Sequence, residues 1–178
     1  GSCGCLQIAE IPENLKRYYP ENYYSLQSNK KKKSRMLRDF VRKRTALFYI
    51  SGKGVLGRSL AYFRKPDPLH LVYHRIKLKE ADKILDVGGG TGSHVLSLQR
   101  LGFKKIYSVD PFIERDVFYD GTLIAKKTEI YNIEGDFDLI TFHHSLEHMQ
   151  EQSRVIQKAS DLIDNVGRIL IRIPTVTS

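Results

Sequence analysis

The stretch ILDVGGGTGSHVLSL, Ile84 to Leu98, decides how this chain is read. A short apolar run closes on four glycines within five positions, Gly88, Gly89, Gly90 and Gly92, and passes straight into the helical stretch HVLSLQRLG. Glycine accepts positive φ without steric penalty, so the pattern is a strand, a tight turn and a helix. Outward from it, IYSVD, FDLITF and GRILIRI are further short apolar runs bounded by glycine or acidic residues, with the helical stretch EQSRVIQKASDLIDNVG between the last two. TLIAKK, Thr122 to Lys127, adds a strand. Strands and helices alternating at this spacing predict an α/β fold, a Rossmann-like, doubly wound, mainly parallel sheet covered by helices.

The glycine turn has the context of a ligand site: it follows a strand, opens a helix, and is matched by Asp110 at the end of the next strand. In such sheets ligands bind in the crevice outside the carboxyl ends of the strands. A dinucleotide fits poorly. Its third glycine would fall at Ser93, and Asp86 directly before the turn would repel a pyrophosphate that wants backbone N–H groups. The favoured ligand is therefore uncharged or cationic at this point. S-adenosylmethionine has no phosphate and carries a sulfonium and an ammonium, and Asp110 would accept hydrogen bonds from both of its ribose hydroxyls. A second glycine pattern, GKGVLG from Gly52 to Gly57, formally matches G-x-G-x-x-G but has no strand before it and runs on into KPDP. It is expected to be a helix–helix connection.

The order ILDVGGGTG, VD, FDLITFHHSLEHM, GRILIRIP resembles the class I S-adenosylmethionine-dependent methyltransferases, especially the bacterial branch found with polysaccharide and small-molecule biosynthesis. The resemblance is firm over residues 82–174. It implies that Asp86, Gly88, Gly90 and Gly92 line the methionine end of the cofactor, that Asp110 holds the ribose and that Pro111 flanks the adenine. By the same resemblance Thr128 and Glu129 fall near the adenine edge, and His143 touches the cofactor through its backbone. It also implies two more strands and a helix after GRILIRIP, where only four residues follow here, so the chain is expected to be a fragment that binds cofactor more securely than it turns over.

Methyl transfer is an in-line displacement, and most of its acceleration comes from holding acceptor and methyl in near-attack geometry. A base is required where the acceptor is a hydroxyl or amine that loses a proton, and His144 is the catalytic candidate. His144 and His148 are four apart and Glu147 is near, but the metalloprotease spacing needs Glu directly after the first His; Ser145 stands there, and no metal is assigned. Glu147 and His148 are expected to make structural hydrogen bonds at a helix start.

Residues 1–66 are read as an N-terminal strap and basic helical extension, and residues 67–178 as the cofactor-binding domain. Cys3 and Cys5 are too few and too close for a disulfide framework or a complete zinc site, though they could be the remnant of a zinc ribbon. YYPENYYS looks like the family's lead-in segment. Residues 30–44 hold nine Lys or Arg and one Asp, so +8 of the formal +9 charge lies there. That arm is expected to lie over the cofactor crevice as a lid with its charges in solvent; where it has a partner, the partner is phosphate-bearing: an anionic membrane surface, a phosphorylated substrate or, less well, nucleic acid. Met36, Leu37, Phe40, Val41, Leu47 and Phe48 recur at helical spacing and predict an amphipathic helix that buries this stripe and ends near residues 51–54. A second helix is capped by Asp67, starts at Pro68 and buries Leu69, Val72 and Ile76. No stretch is long and apolar enough to span a membrane and no secretory signal is evident, so the cytoplasm is the expected location. The functional expectation is methyl transfer to a small-molecule or sugar acceptor, with a nucleic-acid methyltransferase or a non-catalytic cofactor-binding module as the alternatives.

Overall fold

The computed structural model describes residues 36–174. Cys3, Cys5, the tyrosine-rich segment and Lys30–Lys33 lie outside the described residues. Three helices come first: α1 (Met36–Ser51), α2 (Val55–Ala61) and α3 (Pro68–Arg75). The remainder alternates as β1 (Ile84–Val87), α4 (Ser93–Leu101), β2 (Ile106–Val109), β3 (Val117–Tyr119), β4 (Thr122–Lys126), β5 (Phe137–His143), α5 (Gln152–Asp161) and β6 (Ile163–Arg172).

The six strands form one sheet in the order β3-β4-β2-β1-β5-β6. All neighbours are parallel except β3, which returns antiparallel on β4 through Asp120 and Gly121, both at positive φ. Strands β2 and β4 lie to one side of β1, and β5 and β6 to the other. The direction of winding therefore reverses between β1 and β5, and the crevice that the doubly wound fold reserves for ligands opens at their carboxyl ends.

Side chains alternate across each strand and so feed two cores. On one face Ile84 and Leu139 pack with Tyr73, Val95, Leu96, Leu98, Phe103 and Ile50 of α1. On the other, Leu85, Val87, Ile140 and Phe142 pack with Val155, Ala159 and Leu162 of α5 and its end. Period-two counting puts Asp86, Thr141 and His143 on the first face with Ile84 and Leu139, under α4.

The structure departs from three expectations and adds one strand. The buried residues of α1 are Thr45, Ala46 and Ile50, whereas Met36, Leu37 and Phe40 are exposed. Within the described residues α1 meets its neighbours through its carboxyl half, where Gly57 of α2 closes on Arg44 and Phe48. In α3 the Asp67 cap forms as expected, its Oδ1 accepting from the Leu69 N–H at 2.9 Å, but the deeply buried residue is Tyr73, with Leu69, Val72 and Ile76 only half-buried. β6 starts at Ile163, earlier than the GRILIRI run, and β3 had no alternating signal in its three residues. GKGVLG is a connection that runs into α2, and its last glycine serves helix packing.

Candidate active site

The glycine turn is left-handed at Gly88, Gly90 and Gly92, with φ of +74°, +56° and +78°. The turn is anchored at three points. The Gly88 N–H donates to Val109 O at 2.8 Å, the Gly90 N–H donates to Asp110 Oδ2 at 2.9 Å, and Gly92 rests on Ile124 of β4, leaving no room for a side chain. Across the crevice Ser145, directly after the histidine pair, donates from Oγ to Val87 O at 2.6 Å. A methyl group on Gly88 would lie 2.5 Å from Ser145 Cβ. The turn after β1 is thus wedged between the ends of β2 and β5.

Asp86 lies beneath this turn, buried, against the position a Gly89 side chain would need. Its Oδ1 accepts from Thr141 Oγ at 2.7 Å, directly across the β1–β5 register, while Oδ2 is buried with no hydrogen-bond partner. Burial pushes its pKa up to about 7; the Thr141 hydrogen bond opposes the shift and the charge of Asp110 adds to it. A carboxylate with an unsatisfied buried oxygen next to a left-handed turn is poised for a donor or a positive charge.

Asp110 closes β2. Its Oδ1 accepts from the Phe112 N–H and its Oδ2 from the Gly90 N–H, each at 2.9 Å. Burial raises its pKa, and those two N–H groups work against the rise. Each carboxylate oxygen has two lone pairs, so both retain capacity toward a ligand. The Asp110 N–H donates to Lys126 O at 3.1 Å, which brings the end of β4 alongside. Thr128 and Glu129 follow two and three residues later on this edge, Thr128 accepting from Asn132 Nδ2 at 3.3 Å and Glu129 heading a 3-10 turn. Pro111 is exposed on the same edge.

The histidines separate. His143, the last residue of β5, turns its ring into a half-buried polar cluster that the sequence does not signal: Tyr73 Oη lies 2.7 Å from His94 Nε2 and 3.3 Å from His143 Nε2. The two imidazoles meet edge to face, centroids 4.3 Å apart. Burial first, then Arg172, lowers His94 to about 4; burial, His94 and Arg172 lower His143 to about 3. Burial also raises the Tyr73 hydroxyl. All three are neutral near pH 7, and His143 Nδ1 is buried without a partner.

His144 points the other way, exposed, with φ of +53°. Its N–H donates to Arg172 O at 2.8 Å and its Nδ1 lies 4.0 Å from Glu147 Oε1. Both Glu147 oxygens are buried without hydrogen-bond partners. Glu147 and His148 sit in a 3-10 turn, Leu146–His148, that precedes α5. Among the described residues no group of three or more His, Cys, Asp or Glu is arranged to hold a metal ion.

A family model described as the methyltransferase domain matches residues 60–178. The chain belongs to that family. It is the class I, S-adenosylmethionine-dependent kind that the sequence resembles, with S-adenosylmethionine as methyl donor. The match begins within α2, so the family extends over all of the sheet and the site. No curated protein matches the chain. The crystal structure of magnesium protoporphyrin IX methyltransferase from Synechocystis PCC 6803 with bound S-adenosylmethionine is similar at 13% identity and a TM-score of 0.46, over 89% of this chain and 75% of that one.

The residues of the methyltransferase domain fit its donor. From Ile84 to Gln99 there is no Lys or Arg to meet a phosphate, while Asp86 and Asp110 offer buried acceptors on either side of the turn. Among the described residues no helix is long and apolar enough to cross a membrane.

Proposed function

We propose that this protein transfers a methyl group from S-adenosylmethionine to an oxygen or nitrogen of a small-molecule or sugar acceptor. The observation that carries the reading is the Gly90 N–H to Asp110 Oδ2 bond, which ties the glycine turn to the carboxylate at the end of β2. It preorganises one continuous wall, with acceptors for a diol at one end and a left-handed backbone for close approach at the other. Asp110 accepts from the ribose hydroxyls with its remaining lone pairs. Pro111, Thr128 and Glu129 border the base, and Gly88, Gly90 and Gly92 pass close to the methionine part. Asp86 acts from below, its orphaned oxygen favouring the cationic end. When bound, the donor supplies a methyl group on a sulfonium, activated for displacement without metal or covalent help.

His143 contributes its backbone at the carboxyl end of β5, its ring being held by Tyr73 and His94. His144 is the proton acceptor. A left-handed backbone at a non-glycine residue costs free energy and persists where surrounding structure enforces it, which often marks a functional position. Here the Arg172 carbonyl holds it from β6. Glu147 stands on the Nδ1 side, 4.0 Å away; a small approach lets it accept a hydrogen bond from Nδ1–H, which keeps that proton on Nδ1 and leaves Nε2 free to accept one from a hydroxyl or ammonium.

The test is incubation with methyl-labelled S-adenosylmethionine and a panel of sugars and small molecules bearing hydroxyl or amine groups, reading label in the acceptor. His144→Gln should lower kcat by roughly 10²–10⁴ while donor affinity is retained. Equal kcat in that variant removes His144 from the reaction.

A further inference from the structure

We propose that the outer face of α2 and the residues just after it form a docking surface for an anionic lipid membrane. α2 packs on α1 through one side only. Gly57 is buried there, and a methyl group on it would lie 2.6 Å from Arg44 O and 2.7 Å from Phe48 Cβ. The single hydroxyl proton of Tyr49 in α1 is shared between Arg64 O at 2.7 Å and Ala61 O at 3.1 Å. Positions 57, 61 and 64 therefore face α1, and the helical repeat turns 55, 56, 59, 62 and 63 outward.

An outer face of a helical hairpin is ordinarily polar. This one carries Val55, Leu56, Ser59, Tyr62 and Phe63, and the four apolar side chains are 84%, 51%, 87% and 83% exposed. Tyr62 and Phe63 stand edge to face, centroids 5.3 Å apart, as an exposed aromatic pair. Lys53, Arg58, Arg64 and Lys65 flank them, all exposed and none in an ion pair among the described residues. Across residues 36–65 there are eight Lys or Arg against one acid, Asp39. Apolar side chains ringed by unpaired cations are complementary to a surface that is anionic outside and hydrocarbon within. Aliphatic Val55 and Leu56 beside the rings favour lipid over nucleic acid, since stacking on bases rewards aromatic faces and not aliphatic branches.

The experiment is co-sedimentation of the full chain at low salt with vesicles of phosphatidylcholine alone, or of two parts phosphatidylcholine to one part phosphatidylglycerol. Binding is expected only to the second. The double variant Tyr62→Ser, Phe63→Ser keeps every basic residue and should weaken partitioning about tenfold or more, as removal of two inserted rings requires. Val55→Ser with Leu56→Ser provides a second, independent loss at the other end of the face. Retention of vesicle binding in both double variants, no binding to anionic vesicles, or displacement from them by a single-stranded polynucleotide that protects Tyr62 would each overturn the proposal.

Discussion

Gly88→Ala probes the joint on which the site depends. The added methyl meets two separate penalties. Gly88 has φ of +74°, a left-handed conformation that costs an L-residue about 1–2 kcal/mol. The methyl would also lie 2.5 Å from Ser145 Cβ, far inside the ~3.5–4.0 Å of a favourable carbon contact, and overpacking of this kind costs about 1–3 kcal/mol. Met149 Cε at 3.1 Å is the end of a flexible chain and can move aside. The sum, about 2–5 kcal/mol, is a large share of the ~5–15 kcal/mol that holds a domain folded. Ser145→Gly removes the opposing carbon and loses the Oγ to Val87 O bond, for about 1 kcal/mol. In that background Gly88→Ala retains only its backbone penalty. Urea denaturation of the four proteins should therefore give a favourable coupling of about 1–3 kcal/mol. Additivity within ~0.5 kcal/mol would refute the close packing of the turn against the end of β5.

Asp110→Ala should weaken S-adenosylmethionine binding by roughly 1.5–3 kcal/mol in calorimetry, because the acceptor proposed for the ribose is lost and the Gly90 N–H is released; unchanged affinity would remove the ribose assignment. The half-buried histidines predict acid sensitivity. Their folded values, about 4 for His94 and about 3 for His143, lie below the unfolded value of ~6.5, so between these limits the unfolded chain binds more protons and stability falls as pH falls, by at most ~1.4 kcal/mol per pH unit for each. Asp86, raised to about 7, has the opposite sign: the folded chain keeps its proton where the unfolded chain loses it, so acidification from pH 7 recovers stability. Asp86→Asn should accordingly show a steeper loss between pH 7 and 5 than the parent in urea titrations, and His143→Gln a shallower one; equal slopes in all three would contradict the charge states assigned to the site.

Much of the fold was legible because parallel strands buried on both faces are written as near-continuous apolar runs, and KILDV, IYSVD, TLIAKK and FDLITF all became strands. The glycine turn was legible because positive φ leaves a residue-type signature. Thr141 could have been found as well. It is the polar residue inside FDLITF, and parity places it on the same sheet face as Asp86. Tyr73, His94 and His143 could not be joined from sequence, since residues 21 and 70 apart in the chain meet only through the packing of α3 and α4 on the sheet. The same gap explains α1. Helical spacing identified an apolar stripe, but which half of it is covered depends on where Gly57 lets α2 approach.

A site built this way prefers a phosphate-free, cationic adenosine ligand to a dinucleotide. Calorimetric titration of the full chain with S-adenosylmethionine, and separately with NAD, tests this preference most directly. Saturable one-to-one binding of S-adenosylmethionine is expected, and none of NAD at the same concentrations, because Asp86 and Asp110 beside a turn devoid of Lys and Arg disfavour a pyrophosphate. Binding of NAD with equal or greater affinity would contradict it.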